Sequence, residues 1–264
     1  MQTLLDSPSS TTVRPSNRRR TAVGVTGFLA CALPTVFTIN LSRMLLVGEL
    51  SEHRFHQLTG QGLLLCLLWL ACVVPLVRAG WAGRRPTTAT GLMHVTFAVT
   101  GSLCSIAAPG GGAPILMAVI VVTGALLWLA LPLRPRLRTE LRVDPLLAPL
   151  ALLGAALSTP YALDQIGLQN DATGHHAINP HFFDMAWTAL TLVVLVALAA
   201  MLPVVRRLAL WGSGGLVWTG AIGVALGEDR PWTALALGLG AVTAAATVAT
   251  GRWSKSRVGR DQVI

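Results

Sequence analysis

Long apolar stretches alternate with short polar breaks along almost the whole chain. A helix needs about 20 apolar residues to cross the hydrocarbon core of a bilayer. Glycine, proline and charged residues mark the breaks, as is typical of turns. The pattern predicts an all-α polytopic membrane protein with eight transmembrane helices in one bundle. The eight stretches lie at about 22–47, 60–79, 88–108, 113–133, 145–168, 179–204, 208–227 and 231–251.

The same pattern divides the chain into three parts. Residues 1–20 are rich in Ser, Thr, Pro and Arg and predict a disordered cytoplasmic tail, because no signal-peptide cleavage pattern follows them. Residues 21–252 form the transmembrane domain, and 253–264 form a short basic cytoplasmic tail. Each set of four helices carries a longer, histidine-bearing loop after its first helix, which favours two parallel four-helix halves.

Composition excludes a soluble domain. Hydrophobic residues make up 53% of the chain, charged residues only 12%, and the mean hydropathy is +0.63. An average soluble protein has roughly 25% charged residues. A water-exposed surface could not be built from the remaining polar groups.

Charge predicts the topology. With the amino terminus in the cytoplasm, 17 of the 20 Lys and Arg residues fall on the cytoplasmic side, and only Arg43, Arg54 and Arg230 fall outside. Such asymmetry follows the positive-inside rule. We therefore expect a multi-pass protein of the cell membrane with both termini in the cytoplasm.

The positions of the basic residues also indicate which partners the protein binds. A net charge of +9 is compatible with nucleic-acid binding, but the basic residues come in short clusters between apolar stretches. The bilayer is therefore the expected partner and nucleic acid is not, while a protein partner or a homo-oligomer stays open. The run from Arg134 to Arg138 is expected to be attracted to anionic lipid.

Histidines are the most informative polar residues. Five of the six fall in two outer loops, at 49–57 and 171–184. Glu52 shares a helical spacing with the histidines of the first loop. Imidazoles and carboxylates suit zinc, copper, iron or nickel. The pattern does not identify a cofactor, and a transition metal or haem is the candidate. The candidate ligands are His53, His56, His175, His176, His181 and Asp184.

A shared site requires the two loops to meet. Helices 1, 2, 5 and 6 should then be adjacent, with His53 or His56 within about 10 Å of His176 or His181. Two alternatives stay open, a cluster that responds to protons and a set of solvated loop residues. His94, inside the third stretch, is expected to be a hydrogen-bonded core residue.

A second group of candidates could form a polar pathway. Asp184 and Asp164 lie near helix ends, and ionisable groups within a membrane are costly enough to suggest a function. Arg43 either pairs with one of these acids or extends to the interface. Tyr161 and Gln165 flank Asp164 in a helix that Pro160 is expected to bend, although an interfacial aromatic position is the alternative for Tyr161.

No P-loop, nucleophile elbow, dinucleotide fingerprint or kinase signature occurs in the sequence. Four functions remain open. They are a metal- or haem-binding membrane protein, a small-molecule or ion transporter that uses Arg43, Tyr161, Asp164 and Asp184, a non-catalytic component that senses pH or binds a protein, and an intramembrane hydrolase with an outer metal.

Overall fold

The structure, a computed structural model, describes residues 12–47 and 53–260, with side chains up to residue 249. Glu49 and Glu52 lie outside these ranges. Within them every regular element is a helix, and extended pairing is limited to one isolated antiparallel bridge between Thr12 and Arg84. The predicted all-α class is confirmed.

Eight helices of the described chain are long and apolar enough to cross a membrane, which indicates a membrane-embedded protein. The first and last extend beyond the predicted stretches. Their bounds are α1 Asn17–Val47, α2 Arg54–Trp81, α3 Thr88–Ala107, α4 Gly110–Ala130, α5 Leu147–Asn170, α6 His181–Met201, α7 Leu208–Leu226 and α8 Arg230–Arg260.

Helix α6 lies at the centre. It contacts α2, α3, α5 and α7, and it is the most deeply buried of the eight. The first four helices contact one another, as do the last four, and α6 joins the two sets through α2 and α3. The parallel relation between these halves stays a prediction.

The first half of α2 is unusually wide. Residues Gln57–Leu68 form a π-helix, in which the amide of Trp69 donates to the carbonyl of Leu64, five residues back. Such segments are rare and often lie at functional sites. This one brings Gly60 against α6, where a Cβ on Gly60 would lie 2.7 Å from the Cβ of Asp184.

The helix ends form two chemically different surfaces. We call the segments 53–56, 171–181 and 227–230 the histidine end, and the segments 82–87, 131–146 and 202–207 the arginine end. They lie at opposite ends of the helices. Which of them faces the cytoplasm stays a prediction.

Candidate metal centre

The two histidine-bearing loops meet at the histidine end. The ring of His53 stacks on those of His175 and His181, with centroids 5.1 and 5.0 Å apart, and meets His176 edge-on at 5.1 Å. His53 precedes α2, His175 lies in a single helical turn between α5 and α6, and His181 begins α6. Residues more than 100 positions apart in sequence therefore share one site.

Three of the imidazoles have the spacing of a ligand set. One ring nitrogen each from His53, His175 and His181 lies within 4.8 Å of the others. The Nε2 atoms of His175 and His181 are 3.3 Å apart. Two nitrogens bound to one tetrahedral zinc ion at about 2.0–2.1 Å would be separated by about 3.3–3.4 Å. The pair already has this separation.

The other predicted ligands lie beside this trio and outside it. The ring centroid of His56 is 5.9 Å from that of His181, and the ring of His176 is 5.7 Å from it. Both also contact the ring of Phe182. Asp184 lies one helical turn below His181, at 5% exposure, so it is further inside the protein.

Two amide side chains hold the second loop in place. Buried Gln169 of α5 donates to the carbonyl of His176 over 3.0 Å and accepts from the amide of Phe183 over 3.3 Å. Asn179 donates to the carbonyl of His175 over 3.0 Å and lies 3.2 Å from its Nδ1. The same amide nitrogen lies 3.3 Å from Nε2 of His175, so it contacts both ring nitrogens of this imidazole.

Asp184 is buried against α2. One of its carboxyl oxygens, Oδ1, is buried and has no hydrogen-bond partner among the described residues. Its backbone carbonyl accepts from the hydroxyl of Thr188 over 2.7 Å. An intramembrane carboxyl with an unsatisfied oxygen is costly and is a functional candidate for that reason.

The pathway candidates differ in their exposure. Asp164 and Arg43 are exposed, whereas Gln165 is buried at 4% exposure. Helix α5 runs without interruption through Pro160, so the expected bend does not divide it. Asp164 and Asp184 therefore differ in environment, although both were expected near the same level.

Tyr161 is buried rather than placed at an exposed interface. Its hydroxyl donates to Asp229 over 3.0 Å, and its ring stacks on Trp232 at 3.9 Å. Asp229 has a φ of +44°, which few residues other than glycine adopt. Asp229 also interacts electrostatically with His56, which brings a negative charge to the histidine end.

His94 lies in the core, apart from the histidine end. It is 6% exposed and stacks on Trp69 at 5.1 Å. The expected hydrogen bond is absent at Nε2, which is buried without a partner among the described residues. Its contacts are those of a packed aromatic ring.

Sequence reasoning missed Gln169, Asn179 and Asp229 as parts of this site. A glutamine inside an apolar helix, directly before a histidine-rich loop, is a signal that could have identified Gln169. Asp229 pairs with a tyrosine 68 positions away, and no local pattern indicates that contact.

Comparison with protein-family models, with curated proteins and with solved structures finds no match to this chain.

Proposed function

We propose that this protein is a multi-pass membrane protein that binds a divalent transition-metal ion through His53, His175 and His181. The observation that carries the proposal is the convergence of three ring nitrogens within 4.8 Å from two separate loops. The topology we propose with it places the histidine end outside the cell membrane and both termini in the cytoplasm. An eight-helix bundle of two parallel halves is part of the same proposal.

The chemistry of imidazole supports a metal ion. A neutral imidazole offers one lone pair, and three of them with one open position form the ligand set of many zinc sites that bind water or substrate. The contact between His175 and His181 is also compatible with an N–H···N hydrogen bond. That bond would explain why two of the rings lie close together, whereas a metal ion would explain the approach of all three.

The spacing favours a bare ion over haem. A haem held between two histidines requires the flat macrocycle to separate their rings. The Nε2 atoms of His175 and His181 are 3.3 Å apart, and the His53 ring stacks against both, with centroid distances of 5.1 and 5.0 Å. These contacts leave no gap for a macrocycle between the rings.

Metal titration of the purified protein tests the proposal. We would use the full chain in detergent, carrying a non-histidine affinity tag, and measure Zn²⁺ by calorimetry and Co²⁺ by its tetrahedral absorption bands. We expect one ion per chain. His53→Gln, His175→Gln or His181→Gln should each weaken binding by roughly tenfold or more, since each removes one of three ligands.

His176→Gln is the matched control. It removes an imidazole from the same cluster but not from the trio, and the carbonyl of His176 that Gln169 binds is retained. We expect less than a threefold change in affinity. Equal losses in His176→Gln and His181→Gln would refute the trio as the ligand set, and a wild-type protein without stoichiometric metal would refute the site.

A second candidate function, transport of the bound ion, is favoured by a line of buried polar groups along α6. His181, Asp184, Thr188 and Thr191 follow at spacings of three and four residues, so they share one helix face. The hydroxyl of Thr191 lies 2.8 Å from that of Thr100 on α3. At 1.5 Å per residue the line is about 15 Å long, half the hydrocarbon thickness.

Ion uptake by proteoliposomes tests this candidate separately. Asp184→Asn keeps the shape and removes the charge, and we expect Zn²⁺ uptake to fall at least fivefold while Zn²⁺ affinity stays within about threefold. Asp164→Asn, at an exposed position, is the matched control and should transport normally. Normal uptake in Asp184→Asn would refute the transport candidate and leave the metal site standing.

A further inference from the structure

A basic pocket lies at the arginine end, between the end of α2 and the start of α3. Its volume is about 300 Å³, and Arg78, Arg84 and Arg85 line it together with Thr87 and Thr90. One molecule in liquid water occupies about 30 Å³. The pocket therefore has room for a phosphate group with a few attached atoms, and not for a whole lipid.

The loop that carries these arginines is fixed by backbone contacts. Gly83 has a φ of +66°, and a side chain there would collide with the carbonyl oxygen of Val13. The amide of Val13 donates to the carbonyl of Gly83 over 2.9 Å, and the amide of Arg84 donates to that of Ala79 over 2.8 Å. The pocket wall is thus held in place before a ligand arrives.

Arg85 is the most constrained of the three arginines. Its Nη1 donates to the carbonyl of Arg134 over 2.6 Å. Its Nε is buried and has no hydrogen-bond partner among the described residues. A guanidinium anchored by one nitrogen keeps further donors for a second acceptor.

Among the residues that the structure describes, no acidic side chain lines this pocket. In the described part of the arginine end, the acids are Glu140 and Asp144, and Asp144 pairs with Arg206 over 2.8 Å. The start of α3, capped by Thr87, adds the positive end of a helix dipole. The described residues therefore leave the positive charge of the pocket unbalanced, and an anion would balance it.

We propose that this pocket binds the phosphate of an anionic phospholipid headgroup. Arginine recognises phosphate by paired hydrogen bonds, and basic pockets between transmembrane helices bind anionic headgroups. The other side of the pocket is apolar. It includes exposed Pro75 of α2 and exposed Ala82 directly after α2, next to Trp81 at 52% exposure. Acyl chains would lie along this face, which distinguishes a lipid from a soluble phosphate compound.

Lipid binding to the full-length protein in detergent tests the proposal by native mass spectrometry. The probes are phosphatidylglycerol, zwitterionic phosphatidylcholine and soluble glycerol phosphate. The variant is Arg78→Gln with Arg84→Gln, which leaves the anchored Arg85 intact. The matched control, Arg136→Gln with Arg138→Gln, removes the same charge from exposed positions of the same end.

We expect wild type to prefer phosphatidylglycerol over phosphatidylcholine, and the pocket variant to lose phosphatidylglycerol affinity by roughly tenfold or more. The control should change by less than threefold. Equal losses in the two variants would overturn the pocket, because diffuse charge would then explain binding. Glycerol phosphate binding as tight as that of phosphatidylglycerol would overturn the lipid assignment.

Monodispersity in gel filtration shows whether each variant is folded. If the double variant aggregates, Arg78→Gln alone carries the test, since Arg78 lies on an exposed face of α2. We expect at least a threefold loss of phosphatidylglycerol affinity from this single change. Unchanged affinity would overturn the role of the pocket.

Discussion

The histidine end and the arginine end both gather nitrogen-bearing side chains, but they suit ligands of opposite charge. Imidazoles can lose their proton near neutral pH, so the rings of His53, His175 and His181 can lie in contact and share their lone pairs with a cation. Guanidinium groups stay charged and offer only donors. Those of the arginine end therefore bind carbonyl oxygens or an anion, as Arg85 does at Arg134.

The largest expected effect is the stabilisation of the protein by Zn²⁺, which should depend on the histidine end and not on the arginine end. Zn²⁺ at 100 times its dissociation constant should stabilise the wild-type protein by about 2.7 kcal/mol. The stabilisation should fall to about 1.4 kcal/mol or less in His53→Gln, whose affinity is at least tenfold weaker. It should persist in the double variant of Arg78 and Arg84. It should also fall as the pH is lowered, because protonated imidazoles cannot bind metal. Thermal unfolding in detergent measures it.

This comparison fails if the ends are not independent. A Zn²⁺-induced shift that is equally large in His53→Gln would place the metal elsewhere. Loss of the shift in the double variant of Arg78 and Arg84 would show that the arginine end contributes to metal binding. Phosphatidylglycerol should give the reverse pattern, with its stabilisation lost only in the arginine variant.

A smaller effect is expected where α2 and α6 meet at the histidine end. A methyl group at Gly60 would lie 2.7 Å from the Cβ and 3.2 Å from Oδ2 of Asp184. We expect Gly60→Ala to destabilise the protein by about 1–3 kcal/mol, the range for added volume in a packed interior. Gly167→Ala is the control, because its Cβ would meet nothing within 4 Å.

The temperature midpoints of the two glycine variants measure this effect. Gly167→Ala should be neutral or stabilising by up to about 1 kcal/mol, since alanine is the better helix former. A Gly60→Ala protein as stable as Gly167→Ala would mean that the contact between α2 and α6 is not tight. Zn²⁺ affinity should fall with stability in Gly60→Ala alone, because α6 carries His181.

Hydropathy was sufficient to predict all eight helices, because each must bury its backbone polar groups in an apolar medium. It could not place the start of α2 at Arg54, since the histidines and Gln57 of that first turn are polar. The predicted topology likewise placed the five loop histidines on one side of the membrane. Which three converge depends on the packing of α2 beside α6, which brings His53 to His175 and His181.

Contacts between distant residues were beyond prediction for the same reason. The hydroxyl of Tyr161 binds Asp229, and the indole of Trp218 donates to the carbonyl of Leu58 over 3.1 Å. No local sequence pattern marks either residue of these pairs. Only the packing of α2, α5, α7 and α8 brings them together.

The smallest expected effect concerns the one acid of the arginine end that has a clear structural role. Asp144 accepts from the amides of Leu146 and Leu147 at the start of α5, over 3.0 and 3.2 Å, and pairs with Arg206. Partial burial by itself would raise the pKa of Asp144, but the hydrogen bonds from Arg206 and from the two amides outweigh it. The pKa is therefore lowered below its usual value.

Because the pKa of Asp144 is lower in the folded protein, its charged carboxylate stabilises the fold. This stabilisation is fully present above the unfolded-state pKa of about 4 and is lost as the pH falls through the lower folded-state value. Asp144→Asn should therefore destabilise by about 1 kcal/mol at pH 7, since the pair is partly exposed, and by less at pH 3. Asp164→Asn, at an exposed position, is the control, and its stability relative to wild type should not depend on pH in this way.

Thermal midpoints at the two pH values, measured without metal, test this prediction. A penalty in Asp144→Asn that stays constant or grows between pH 7 and pH 3 would contradict the charge-based role of Asp144.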